Sequence, residues 1–236
     1  MQPYLAELIG SAILILLGNG VVANVVLDRT KGQNGGLISI TFGWAIAVFV
    51  AVFASTRLGG NAHLNPAITL AFAMAGKFAW SAVPGFILAQ MLGCMIGSFL
   101  VWLSYHEHYK VSTGADLILA TFSTGPAIRQ PLYNFITEAI GTFLLMFGVF
   151  YLAAPTSSLG ALDALPVALL VLGIGLSLGG PTGYAINPAR DLGPRIMHAL
   201  LPISNKGSND WPYAWVPVFG PIAGGLLAAL LFLGLA

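Results

Sequence analysis

Six stretches of this 236-residue chain are apolar over about the length that crosses a bilayer, which limits the fold more than any other feature. They cover roughly residues 4–27, 36–56, 80–104, 132–154, 162–180 and 212–235. A hydrocarbon core about 30 Å thick takes about 20 helical residues to span. In lipid the backbone must satisfy its own polar groups, so such segments are helices. The charge content agrees: 7% of residues are charged and 57% are hydrophobic, whereas a soluble domain is roughly a quarter charged. The net charge of +1 leaves no basic footprint for nucleic acid. The apolar N-terminus lacks a basic leader and runs too long for a signal peptide, so it is expected to be the first span. A lone Cys94, inside Gly93–Gly97, excludes an internal disulfide and reads as an inert buried thiol.

Two further segments are too short to span. They run from Asn65 to about Gly76 and from Asn187 to about Leu200. At 1.5 Å per residue each reaches about half-way through the core, as a half-helix. Both open on Asn-Pro-Ala, as Asn65-Pro66-Ala67 and Asn187-Pro188-Ala189. The chain also repeats itself. Tyr4–Gly20 resembles Asn134–Phe150, each with a glutamate (Glu7, Glu138), then Ile-Gly, then a small hydroxyl residue (Ser11, Thr142). Residues 1–104 are expected to form one repeat and residues 132–236 the other, joined by the polar stretch 105–131. Three spans per half is an odd number, so the second half enters from the opposite face as an inverted repeat. The expected fold class is an all-α membrane protein of six transmembrane helices and two re-entrant half-helices.

Asparagine is a good N-cap, and proline is favoured at the next position, where its missing N–H costs nothing. Each Asn-Pro therefore starts a helix. In an inverted repeat the two starts meet near the midplane. Each carries about half a positive charge, so together they repel cations. Non-helical backbone survives at membrane depth only beside a cavity or inside protein. The lead-in residues Asn61, Ala62, His63 and Leu64, and Gly183, Tyr184, Ala185 and Ile186, are expected to be extended, with carbonyls lined up as acceptors. The Asn65 and Asn187 amides are expected to be free to donate to a passing solute.

Six spans, an inverted repeat, "AHLNPA" and "YAINPARD" resemble the aquaporin family over essentially the whole chain, and most closely its glycerol-conducting branch. The resemblance implies an aquaporin-like fold. It implies a passive channel for glycerol and other small neutral solutes, such as undissociated lactic acid, dihydroxyacetone or urea, and for water, without protons or ions. It implies a homotetramer in the plasma or inner membrane, with both termini cytoplasmic. The arginines and lysines alone do not set the orientation, because with cytoplasmic termini most lie outside, against the positive-inside rule. By the same resemblance Arg190, Tyr184 and Gly175 match filter positions. The fourth is Trp44 or its neighbour Phe42, depending on one residue of spacing. An arginine at membrane depth costs about 2.5–3.5 kcal/mol and is rarely idle, the competing role being an ion pair with Asp191. Water-selective members resemble each other in placing histidine where Gly175 stands, so glycine is expected to widen the pore. Asp191, a mark of the glycerol branch, is expected to brace its loop. Tyr184 in place of a usual phenylalanine, and Asn61 in place of a small residue, depart from the glycerol pattern. A water-selective channel and a proton-coupled transporter are the alternatives.

Glu7 and Glu138 lie inside spans, and an intramembrane carboxylate invites a functional reading. Proton coupling is one; accepting hydrogen bonds from the re-entrant loops, which the resemblance favours, is the other. His63 reads as structural, with pH gating as its alternative. His106 and His108 flank Glu107 in a solvated loop; the spacing suits a metal, though no metal or other cofactor is expected. Gly175-Leu-Ser177-Leu-Gly179 matches a nucleophile-elbow pattern but lies in a span, so it reads as small-residue helix packing, as do Gly93–Gly97 and Gly220–Gly224. No catalytic residues are expected.

Overall fold

The computed structural model describes residues 2–151 and 157–235. Among the described residues, ten α-helices run in the order α1 (Gln2–Val26), α2 (Gly36–Arg57), α3 (Pro66–Met74), α4 (Val83–Ser104), α5 (His106–Val111), α6 (Ala115–Ala120), α7 (Pro131–Tyr151), α8 (Leu165–Thr182), α9 (Pro188–Leu200) and α10 (Val216–Leu235). Six of them, α4, α8 and α10 with short 3₁₀ turns at their starts, are long and apolar enough to cross a membrane. The last three residues of the expected span 132–154 lie outside the described residues. The joining stretch is not plain loop, because α5 and α6 lie within it.

Packing follows the repeat. Helix α1 packs on α2 and α4, and α7 packs in the same way on α8 and α10. Each half-helix lies against the third span of the other half, α3 on α10 and α9 on α4. The halves are therefore interlocked rather than side by side. Glycines permit the closest approaches. A Cβ on Gly93 or Gly97 would fall onto the carbonyls of Leu8 or Ala12 in α1, and one on Gly224 would fall onto that of Ala139 in α7. Backbone-to-backbone contact of this kind stands in for the hydrophobic driving force that lipid does not supply.

The surface is apolar around its circumference, with Ile38, Leu88, Leu132, Leu169 and Leu227 all exposed. The centre, by contrast, holds polar side chains: Glu7, Asn65, Glu138, Asn187 and Arg190 are all buried. Apolar outside and polar inside is the arrangement a lipid solvent selects.

Candidate functional site

The two half-helices start as their sequences dictate. Asn65 is extended (φ −159°) and its side-chain oxygen accepts from the Ala67 amide at 2.9 Å. Asn187 (φ −157°) accepts from the amides of Ala189 and Arg190, at 3.1 and 3.2 Å. The prolines follow at the first helical position in both. The starts meet: the Asn65 amide nitrogen donates to the Ile186 carbonyl at 2.7 Å, and the Asn187 amide donates to the Leu64 carbonyl at 2.7 Å. Each asparagine thus commits one amide hydrogen to the opposite half and has one left. The expectation that both amides are wholly free is corrected, and the Leu64 and Ile186 carbonyls are likewise engaged.

The lead-in loops are not extended throughout. Ala62, Leu64, Tyr184 and Ile186 have φ of 53°, 52°, 39° and 44°, and Gly183 has 78°. Left-handed backbone falls at the first and third residues before each asparagine, in both halves. Leucine and isoleucine avoid this region, at about 1–3 kcal/mol each, so the surroundings must impose it. The two carboxylates supply the constraint. Glu7 accepts from the His63 and Leu64 amides at 2.8 and 2.7 Å and from Gln90 at 2.8 Å. Glu138 accepts from the Ala185 and Ile186 amides at 2.9 and 2.8 Å and from the Thr182 hydroxyl at 2.7 Å. Each anion has three donors, which offsets the cost of burying it.

One cavity of about 220 Å³ runs past these loops. Asn61, Ala62, His63, Leu64, Asn65, Tyr184, Ala185, Ile186, Asn187, Trp44 and Arg190 line it, with apolar side chains such as Leu14, Val48, Ile68 and Val171. Gly183, Pro66, Ala67, Pro188 and Ala189 stand behind this wall rather than in it. Of the two candidates Trp44 and Phe42, Trp44 is 4% exposed and lines the cavity, whereas Phe42 is 52% exposed. The Arg190 guanidinium lies 4.2 Å from the Trp44 ring centroid, a cation–π contact. Arg190 Nη1, Trp44 Nε1 and the Tyr184 hydroxyl are buried without a protein partner. Arg190 makes no ion pair with Asp191. Asp191 pairs with Arg195 at 2.9 Å, both fully buried, and accepts from the Thr124 amide and hydroxyl at 2.7 Å each.

Gly175 does not line the cavity. A Cβ there would lie 2.9 Å from Thr41 Cγ2 and 2.9 Å from Tyr184 Cζ, and one on Gly179 would lie 2.6 Å from Tyr184 Cδ1. The Tyr184 ring sits on these two glycines. Gly175 therefore gives the ring a seat, and Gly175–Gly179 combines that aromatic seat with close packing of α8 on α2 at Thr41.

His63 is enclosed by Phe72, Phe78 and Phe86, with ring centroids at 4.9, 4.8 and 5.3 Å, and its Nδ1 lies 3.2 Å from the Thr69 hydroxyl. His108 Nδ1 is bonded to the Asp28 carbonyl at 3.0 Å, and His106 packs edge-on against Trp102. Several participating residues were not singled out from the sequence: Asn19, Gln90, Thr124, Thr182 and Arg195. Polar side chains inside apolar spans mark Asn19, Gln90 and Thr182; Thr124 and Arg195 carried no local signal.

The chain matches a family model described as Major intrinsic protein over residues 1–232. It is 54% identical over 232 residues, 98% of each chain, to the glycerol uptake facilitator protein of Streptococcus pneumoniae (strain ATCC BAA-255 / R6). It is 53% identical over 232 residues, again 98% of each, to the probable glycerol uptake facilitator protein of Thermotoga maritima. The X-ray structure of the aquaglyceroporin from Plasmodium falciparum superposes with a TM-score of 0.86 at 28% identity, covering 98% of this chain and 94% of that one.

Proposed function

This chain belongs to the major intrinsic protein family, and on that premise we propose that it is a passive channel for glycerol and other small neutral solutes, water included. One observation carries the reading. Arg190, Trp44 and Tyr184, each with a buried donor that has no protein partner, line one cavity, and two of them are aromatic. A polyol matches both kinds of surface, with hydroxyls along one edge and C–H groups along the other. Each donor left buried without a partner costs about 1–3 kcal/mol, which a hydroxylated solute relieves. The similarity to relatives named as glycerol uptake facilitators supports the same solute class.

In this reading Trp44, Tyr184 and Arg190 form the filter, with Gly175 seating the tyrosine. The carbonyls of Asn61, Ala62, His63, Tyr184 and Ala185 serve as acceptors along the path, backed by Gly183, and the spare amide hydrogens of Asn65 and Asn187 serve as donors at the midplane. Two half-helix starts, each equivalent to about half a positive charge, and Arg190 exclude cations and protons. Glu7, Glu138 and Asp191 hold backbone. Three donors on each intramembrane glutamate leave little capacity for a coupling ion, which argues against a proton-coupled transporter. The chain performs no catalytic step. We further propose repeats at 1–104 and 132–236 joined through 105–131, a homotetramer with one pore per subunit, and insertion in the plasma or inner membrane with both termini cytoplasmic.

Liposomes containing the protein, followed by light scattering, test this. Glycerol, water, urea, dihydroxyacetone and lactic acid are each applied as a gradient at several pH values. Rapid glycerol entry at every pH, and lactic acid entry only where the acid is undissociated, are expected. Water entry without glycerol entry would replace the reading with a water-selective channel.

A further inference from the structure

The segment Thr121–Thr124, between α6 and α7, is buried along its whole length. Four side chains, on α1, α5 and α9, hold it. The Tyr109 hydroxyl lies 2.7 Å from that of Thr121. The Asn19 amide, in the middle of α1, donates to the Phe122 carbonyl at 3.1 Å. Arg195 donates to the Thr124 carbonyl at 2.9 Å. The Thr124 amide and hydroxyl both donate to one oxygen of Asp191, at 2.7 Å each.

Thr124 touches both sides of the filter. Its hydroxyl holds Asp191, next to Arg190. Its methyl group backs onto Gly183, next to Tyr184, where an added Cβ would lie 3.3 Å from Thr124 Cγ2. Arg190 Nη1 and the Tyr184 hydroxyl have no protein partner of their own. Hydrogen bonds at their tips therefore do not fix the spacing between them. The adjoining backbone and ring contacts fix it, and the Thr124 side chain joins the backbone at Gly183 to the Asp191 carboxylate beside Arg190.

We propose that Thr124 is a positioning residue for solute discrimination, setting the gap between Tyr184 and Arg190, and that Asn19 anchors the segment carrying it to α1. This rests on the channel reading above. A pore edge held partly through the Thr124 side chain sets an upper limit on solute width. Loosening it admits wider polyols first and changes water least, because a gap wide enough for three carbons already passes water.

The test compares Thr124→Val, Thr124→Ser and Asn19→Leu with the unaltered chain in liposomes. Initial rates are measured for water, glycerol and a four-carbon polyol. Rate ratios are independent of how much protein folds and inserts. The expected result is a several-fold rise in the four-carbon to three-carbon ratio for Thr124→Val, and smaller rises for Asn19→Leu and for Thr124→Ser, which keeps the hydroxyl on Asp191 but loses the methyl against Gly183. Unaltered ratios in Thr124→Val, even with all three rates lowered together, would overturn the positioning role while leaving the channel reading intact. An unaltered chain that passes none of the three would overturn both.

Discussion

The two halves of the site share a frame and differ in everything mounted on it. Both have a glutamate holding two loop amides, alternating left-handed residues, a capping asparagine bonded across to the other half, and a half-helix starting at proline. The first half-helix has nine residues and no charged ones, and its lead-in histidine is enclosed by phenylalanines. The second has thirteen residues and carries Arg190, Asp191 and Arg195, tied to the buried segment Thr121–Thr124. What repeats is what a gap in lipid requires: satisfied backbone and aligned dipoles. What does not repeat is where the proposed discrimination between solutes mainly resides: Tyr184 and Arg190 come from the second half, and only Trp44 comes from the first.

That contrast can be broken at its shared frame first. Glu7→Leu and Glu138→Leu should each destabilise the fold by about 2–6 kcal/mol, since two loop amides lose their acceptor and each unpaired buried donor costs about 1–3 kcal/mol. Thermal unfolding in detergent measures the loss. A near-equal loss for the two supports a shared frame, and a loss confined to one half contradicts it. Arg190→Leu comes next. It removes charge-assisted donors worth about 1.5–3 kcal/mol, or about 10–150-fold, from the second half alone. Glycerol entry should fall by that order and proton leak should rise, read from a pH-sensitive dye inside vesicles. A comparable loss of selectivity from His63→Phe in the first half would show that discrimination is not one-sided.

Gly175→Ala sharpens the same point at smaller scale. A methyl group 2.9 Å from Tyr184 Cζ has to displace the ring, and such overpacking costs about 1–3 kcal/mol. Glycerol entry should fall more than water entry, whereas equal losses would mean that the ring does not border the path. The smallest effect lies outside the membrane. Glu107 is bonded to Lys110 at 2.6 Å, and that bond holds its carboxyl below the usual range. A lowered carboxyl favours folding at neutral pH and loses that effect as the pH falls through its folded value. At an exposed site the pair is screened, so Glu107→Gln should leave both melting and flux unchanged.

The frame was legible because its causes are local. Apolar runs give spans, Asn-Pro gives a capped start, and a glutamate inside a span announces a buried partner. The rest depends on residues far apart in the chain. Left-handed backbone at Leu64 and Ile186 runs against the preference of either residue and is imposed by carboxylates 57 and 48 residues away. Asn65 and Asn187 look like free donors until each is seen to bond to a loop more than 120 residues distant. Gly175 reads as empty space only while the position of the Tyr184 ring is unknown. Arg195 looks like an exterior charge by its place in the chain. It is buried because Asp191 and the carbonyls of Thr124, Asn209 and Asp210 surround it.

The most direct measurement of the central claim is the initial rate of glycerol entry into protein-loaded vesicles as the outside concentration rises. It is taken with and without collapse of the proton and sodium gradients. A passive channel predicts a rate that climbs in proportion to the gradient and ignores both ion gradients. A rate that saturates tightly, or that fails once either ion gradient is abolished, would contradict it.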